Sequence, residues 1–232
     1  MSLISWNCRG VGGPRTVRSL CDVTRSYRPS ILGLIEKKKS VGDWESLKMK
    51  LGFKGCLSVD SRGRSGGLAL LWVEDVEVVL ISLSNYHIDV TVKGEVQFDF
   101  TLFYGNPKVQ DRGSSWDLLR SLKRDMGKPW VVMGDFNEVA YSWEMMSKRN
   151  RQMGQMRRFR ECSDVCELTD LGYVGETFTF SNRRKNDEEV KARLDRAVAN
   201  NAWRAMFSRE TVKHGFANTS DGTYPNNFAT EG

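Results

Sequence analysis

The chain has 232 residues, 40% of them hydrophobic, and a formal net charge of +6. That is ample apolar material for a sizeable core in one large or two small domains, which excludes the disordered class. The most apolar stretch, "GGLALLWVEDVEVVLISL", is broken by Glu74, Asp75 and Glu77, so no membrane span is predicted, and "MSLISWNCRG" lacks the basic start and long apolar run of a signal peptide.

"SLISWN" alternates and stops at the Gly-rich "CRGVGGP", which predicts a strand and a turn. Residues 14–27 open on Pro14 and place Val17, Leu20, Cys21 and Val23 among polar neighbours, which predicts a helix. "SILGLIE" has the near-continuous apolar pattern of a strand covered on both faces, and 42–51 reads as helical. "GGLALLWV", "VEVVLISLS" and "HIDVTVKG" follow as strands. "EVQFDFTLFYGNP" puts Val96, Phe98, Phe100 and Leu102 on one face with period two. Residues 115–126 read as a helix, and "PWVVMGDFN" as another buried strand. Met153, Met156, Phe159, Ser163 and Cys166 recur at helical spacing, so 151–168 is predicted helical, its Met and Phe stripe facing the core rather than a ligand. "ETFTFS" reads as a short strand, and "ARLDRAVANNAWRAMF" as helical after a short start. Strands and helices interleave without repeat or linker, which predicts a single α/β domain over 1–232 with substantial antiparallel content.

Five scattered cysteines, Cys8, Cys21, Cys56, Cys162 and Cys166, predict reduced thiols and an intracellular setting. Cys162 and Cys166 lie one helical turn apart, but no second Cys/His pair completes a metal site, so core packing is the expectation. The basic excess is local. "KRNRQMGQMRRFR" (148–160) holds six Lys/Arg and no acid, and "SRGRSGG" and "NRRK" add smaller clusters. Each fits either a solvated face or a nucleic-acid footprint; Arg149, Arg151, Arg157, Arg158, Arg183 and Arg184 are the candidate DNA contacts. No protein partner is readable.

Three apolar runs end in a polar, oxygen-bearing residue: "LISWN" at Asn7, "ILGLIE" at Glu36, and "WVVMGDFN" at Asp135 and Asn137. A fourth, "FDFTLFYGNP", reaches Tyr104. Ligands gather beyond strand ends in open α/β sheets, so these ends are expected to converge. Taken alone, "GDFN" could equally be a tight turn after a strand. Two carboxylates, two amides and a phenol suit a hard cation such as Mg²⁺ and a phosphate oxygen; with only His87 and His214 in the chain, zinc is poorly supplied. This set suits metal-assisted phosphodiester hydrolysis.

"SWNCRG", "LIEKK", "FYGNP", "GDFNE", "TFTFSN", "RLDRAVAN" and "SD", in that order, resemble the DNase-I-like endonuclease/exonuclease/phosphatase superfamily. The closer resemblance is to its plant branch, the endonuclease domain of LINE-type non-LTR retrotransposons and proteins derived from it. The resemblance covers residues 2 to about 225. It implies a four-layer α/β sandwich (α+β) with two mixed sheets face to face and helices outside, and it implies Mg²⁺, with Mn²⁺ as a substitute. Carried over by motif, Glu36 resembles the principal metal ligand, with Asn7 beside it. Asp135 resembles the residue that orients or deprotonates the attacking water, and Asn137 and Tyr104 the phosphate donors. Asp195 resembles the carboxylate that supports a catalytic histidine, and Asp221 the acid, assigned also to the metal, that precedes it.

The chain departs from the pattern at its end. Gly222 stands where the family motif Ser-Asp-His has its histidine, and Arg9 stands where some members carry an acid. After Pro225 the chain is polar, "NNFATEG", so the domain is predicted to be truncated there and its final core strand missing, leaving an open edge or slot. A gene misread near residue 222 and a decayed element both fit. The resulting expectation is a Mg²⁺-dependent endonuclease acting on DNA, inactivated or not by Gly222. The alternatives are a non-catalytic nucleic-acid-binding remnant and, third, a small-molecule phosphatase. A DNA-acting protein would have to reach the nucleus.

Overall fold

The computed structural model describes residues 1–8, 14–35, 44–60, 67–125, 127–148, 151–182, 184 and 188–214, and the backbone of 226–229. Two large mixed sheets and a small third one hold its strands. The first large sheet runs, across its width, Val174–Gly175 (β11), Thr211–His214 (β15), Asn226–Ala229 (β16), Ser2–Asn7 (β1), Ile31–Ile35 (β2), Leu68–Trp72 (β4) and Gly55–Val59 (β3). The second runs Thr169–Asp170 (β10), Asp195–Ala199 (β14), Trp130–Asp135 (β8), Gln97–Tyr104 (β7), His87–Lys93 (β6) and Glu77–Ser84 (β5). The third joins Phe180–Ser181 (β12), Lys191–Ala192 (β13) and Met145–Met146 (β9). The helices are Pro14–Tyr27 (α1), Trp44–Leu51 (α2), Arg112–Ser121 (α3), Met153–Val165 (α4) and Asn201–Met206 (α5).

Period-two alternation divides each central strand between two cores. Leu3 of β1, Ile31 and Ile35 of β2, Phe98, Phe100 and Leu102 of β7, Val131 and Met133 of β8, and Ala197 and Ala199 of β14 fill the layer between the sheets. The opposite face of the first sheet, Ile4, Trp6, Leu32 and Leu34, packs on Leu20 of α1 and Trp44, Leu47 and Leu51 of α2. The opposite face of the second, Phe103, Trp130, Val132 and Val198, packs on Trp116 and Leu119 of α3 and Phe159 and Cys162 of α4. Helix, sheet, sheet and helix therefore make the expected four layers. Gly33 permits close approach of the sheets, because a Cβ there would lie 2.6 Å from a Leu102 methyl carbon.

The structure corrects several expectations. "DRAVA" of "ARLDRAVAN" is not helical but the fully buried strand β14, antiparallel to β8 from Asp195↔Asp135 to Ala199↔Val131. The final strand is not missing: β16 lies between β15 and β1, with Ser2 opposite Ala229. It occupies the predicted slot because backbone pairing on both edges does not depend on an apolar sequence. Strands β3, β10, β11 and β15 went unpredicted, and of the third sheet only β12, which falls within "ETFTFS", was expected. In the Met and Phe stripe, Met156, Phe159 and Cys166 are buried but Met153 is exposed. Val96 falls just before β7 and is partly exposed. Cys162 and Cys166 pack in the core, as the spacing predicts.

Candidate active site

The same alternation that sorts the core sorts the site. Asn7 continues the inward face begun by Leu3; Tyr104 continues that of Phe98, Phe100 and Leu102; Asp135 that of Val131 and Met133; Asp195 that of Ala197 and Ala199. Strand register brings them to one level. Tyr104 lies opposite Asp135, Asp135 opposite Asp195, and Asn7 opposite Ile35. Asn7, Tyr104, Asp135 and Asp195 are all buried. Glu36, which follows Ile35, and Asp221 lie outside the described residues, as do Gly222, Arg9, Arg149 and Arg183.

Asp135 is the hub. Its Oδ2 accepts a hydrogen bond from Asn7 Nδ2 at 2.8 Å, and its Oδ1 accepts from the Asn137 backbone N–H at 2.8 Å. The second contact is an Asx-type turn, and Asn137 takes the left-handed conformation, φ 54°, that Asn tolerates well. Asn137 Nδ2 then donates to the Gly105 carbonyl at 2.8 Å, and the Gly105 N–H donates to the Asp135 carbonyl at 2.7 Å. "GDFN" is thus both a turn and a means of fixing a carboxylate and an amide. Gly134 makes it possible: its φ is +149°, and a Cβ there would lie 1.9 Å from the Phe103 carbonyl oxygen. Asp195 is held by its neighbour strand and by Thr179 Oγ1, which accepts from the N–H groups of Leu194 and Asp195 at 3.0 Å each. Tyr104 stacks on Tyr86, ring centroids 6.3 Å apart.

Around this hub stands a shell of buried ion pairs that sequence reading missed. Glu138, next to Asn137, accepts from Arg112 Nη1 at 2.8 Å and from Arg151 Nε at 2.7 Å. Glu144 accepts from Arg193 at 2.9 Å and from Arg196 at 2.8 Å, and both arginines reach Asp170. Burial raises the Glu144 and Asp170 carboxyls, but Arg196 and Arg193 outweigh it and hold both below the ordinary range. Burial likewise lowers the Arg112 guanidinium against the pull of Glu138. The only signal for these pairs in the sequence was "RLDR" itself, whose arginines look solvated until strand pairing buries them.

The candidate DNA contacts divide. Arg151 is partly buried and shared between Glu138 and the Asn137 carbonyl, so one of its roles is structural. Arg157 and Arg158 are exposed on α4, Arg157 pairing with Glu161 at 3.3 Å. Arg184 is exposed and pairs with Glu188 at 3.0 Å. His87 is engaged by Ser82 and Ser84 on the second sheet. His214 is buried on β15, its Nδ1 bonded to the Glu176 carbonyl at 2.6 Å and its ring stacked on Tyr173. Among the described residues, no three His, Cys, Asp or Glu side chains cluster closely enough to hold a metal. No described helix is long and apolar enough to cross a membrane.

The fold has close counterparts. The endonuclease domain of TRAS1, a telomere-specific non-LTR retrotransposon, superposes with a TM-score of 0.74 at 14% identity, covering 99% of this chain and 98% of that one. A 3′ phosphatase, NExo, from Neisseria bound to product DNA hairpin gives 0.75 at 17% identity, covering all of both chains. The AP endonuclease LMAP from Leishmania major gives 0.72 at 14% identity, covering 98% of this chain and 86% of that one. No curated protein matches the chain in sequence. A family model, Endonuclease/Exonuclease/phosphatase family, matches residues 4–221, which takes in the Asn7, Tyr104, Asp135, Asn137 and Asp195 positions. With that match over most of its length and the strand ends arranged around Asp135, the chain belongs to the endonuclease/exonuclease/phosphatase family.

Proposed function

We propose that the chain is a divalent-metal-dependent phosphodiesterase acting on DNA, of the retrotransposon endonuclease type. The observation that carries this reading is the Asn7–Asp135–Asn137 cluster, fixed on the ends of two facing sheets. The likeness to the TRAS1 endonuclease domain, the exposed arginines of α4 and the net charge of +6 support DNA as the substrate.

The family generally uses divalent metal ions. The donors here fit such an ion: amide and carboxylate oxygens are hard ligands, and one or two carboxylates suffice for Mg²⁺, which keeps several waters. Asn7 and Glu36, joined by Asp221, would hold it; Mn²⁺ would substitute. When bound, the ion supplies charge stabilisation at the phosphate and the leaving oxygen. The chain's own residues do the rest. Asp135, oriented by Asn7 and Asn137, positions the attacking water and accepts its proton. Asn137 carries a second amide hydrogen beyond the one given to Gly105, and with the Tyr104 hydroxyl donates to the phosphate oxygens. Water adds to phosphorus, the bridging P–O bond breaks, and the products are an alcohol and a phosphate monoester. Asp195 supports this frame from β14 and would orient a histidine where the chain has Gly222.

Gly222 favours one second reading, a nucleic-acid-binding remnant without turnover, because losing one member of a catalytic unit costs orders of magnitude in rate. Plasmid nicking with Mg²⁺ or Mn²⁺ tests both, comparing the unmodified chain with Gly222→His and Asp135→Ala. Nicking by the unmodified chain that vanishes in Asp135→Ala supports the enzyme. Nicking only by Gly222→His identifies an inactivated nuclease. Nicking that survives Asp135→Ala refutes the assigned site, and no nicking by any form, with salt-sensitive DNA binding retained, favours the remnant. A phosphomonoester screen run alongside tests the phosphatase reading.

A further inference from the structure

Past Asn137 the chain lines a groove of about 530 Å³ whose walls include Tyr141, Trp143, Met153, Arg151 and Arg160. Tyr141 and Trp143 stack face to face, ring centroids 5.9 Å apart and 8° from parallel. They lie outside the described hydrophobic core clusters, and Trp143 is 60% exposed. Large aromatic rings left in water in this way mark interaction sites. The pair is held in place from one side. The Arg160 guanidinium sits 5.1 Å from the Tyr141 ring centre and donates to the Ala140 carbonyl. Beneath the groove, Met156 packs with Val139 and Leu194, so the floor is fixed core.

Two observations choose the occupant. The surroundings are basic: Arg151 and Arg160 line the groove, and Arg157 and Arg158 are exposed on the same helix as Arg160, with Arg157 paired to Glu161 and Arg151 to Glu138. The groove also adjoins the candidate site through one shared side chain, since Arg151 lines it while donating to the Asn137 carbonyl at 3.2 Å. Stacked rings beside a basic track suit an unpaired nucleotide: every base offers a π-face, and a base inside a duplex has both faces covered. We infer that Tyr141 and Trp143 form a stacking subsite for an unpaired base flanking the phosphate held at Asp135, with Arg151 and the α4 arginines tracking its backbone. The inference rests on the DNA-phosphodiesterase reading above and adds to it a preference for substrates with a single-stranded or splayed nucleotide beside the cut.

The test is binding in EDTA, so that turnover and metal loading do not enter. Two fluorescent hairpin duplexes are compared by polarisation, one with a short single-stranded flank and one with the same flank made of abasic units. The unmodified protein should bind the base-bearing flank about ten-fold more tightly. Trp143→Ala and Tyr141→Ala should each bring the two within about two-fold, and Trp143→Phe should restore most of the difference. The salt dependence should not change, because phosphate contacts set it. Equal affinities in the unmodified protein would overturn the inference and would fit a groove made for a peptide. A preference that survives both alanine variants would also overturn it. Absence of binding to either hairpin at low salt would remove the reading on which it rests, and the inference with it.

Discussion

Asn7 and Asp135, 128 residues apart in sequence, meet through a 2.8 Å hydrogen bond that joins the ends of strands in opposite sheets. The contact is buried, and it pins the two halves of the sandwich at the level where β7, β8 and β14 deliver Tyr104, Asp135 and Asp195. The site is therefore a product of packing between the sheets rather than of any one loop. Anything that lets the sheets slide would misplace the carboxylate from its amide partner.

Replacing Asn7 with alanine tests this dependence. The substitution takes a buried donor from Asp135 and should cost about 1–3 kcal/mol of stability, the usual loss when a buried polar group is stripped of a partner. A urea titration should show the midpoint falling with an unchanged slope. An unchanged midpoint would mean the contact positions Asp135 without supporting the fold.

Gly134→Ala should be more damaging, although it adds one methyl group. The backbone there is at φ +149°, and the new Cβ would lie 1.9 Å from the Phe103 carbonyl oxygen, a backbone atom that cannot swing aside. A loss of about 3 kcal/mol or more is expected. Gly154→Ala is the control: it is the second residue of α4, with open space around it, and should stabilise slightly, by less than about 0.5 kcal/mol. Thermal midpoints of the two variants, moving in opposite directions, would check the pair.

The contrast between these glycines reflects what the sequence could reveal. Asn7, Asp135 and Asn137 were legible because each ends an apolar run, and strand-end logic needs no knowledge of pairing partners. The β14 strand was not, because Arg196 is the second residue of "DRAVA", and an arginine at a core position looks like a helix surface. It becomes a core residue only when Glu144 and Asp170, distant in sequence, neutralise it. Strand β16 was missed for a related reason. Its place between β15 and β1 is supplied by backbone pairing on both sides, which polar residues make as well as apolar ones.

Glu144→Ala should therefore unfold more than its neighbourhood suggests. Glu144 is 1% exposed and faces Arg193 and Arg196, both buried. Removing it leaves two guanidinium groups sharing Asp170 alone, a change that costs about 3–5 kcal/mol where one member of a buried ion pair is deleted. Glu144→Gln, which keeps the hydrogen-bond acceptor, should lose less. Equal losses in the two variants would show that the charge, which both remove, is all that Glu144 contributes, and no loss in Glu144→Gln would assign its role to volume and hydrogen bonding. Chemical denaturation of both variants, followed by tryptophan fluorescence, reads the difference.

Acid sensitivity should be visible in the stability curve above the carboxylate range, and His214 is one source. Burial pulls its imidazole down from the ordinary 6.5 to about 4, against the Glu176 carbonyl, which favours the charged form; Arg193 and Arg196 disfavour that form and Asp170 favours it. The folded protein thus binds fewer protons than the unfolded chain between these values. The contribution is complete above pH 6.5 and is lost as pH falls toward 4, by about 3 kcal/mol at most. His87, whose pKa burial also lowers against Asp89, adds to the same slope. Glu144 and Asp170, held below their ordinary values, add theirs only at lower pH. Unfolding free energies measured at half-unit steps from pH 7 to pH 4 should fall, and His214→Phe should flatten most of that fall while leaving the part due to His87. A His214→Phe curve parallel to that of the unmodified protein would show that the buried imidazole carries no proton linkage.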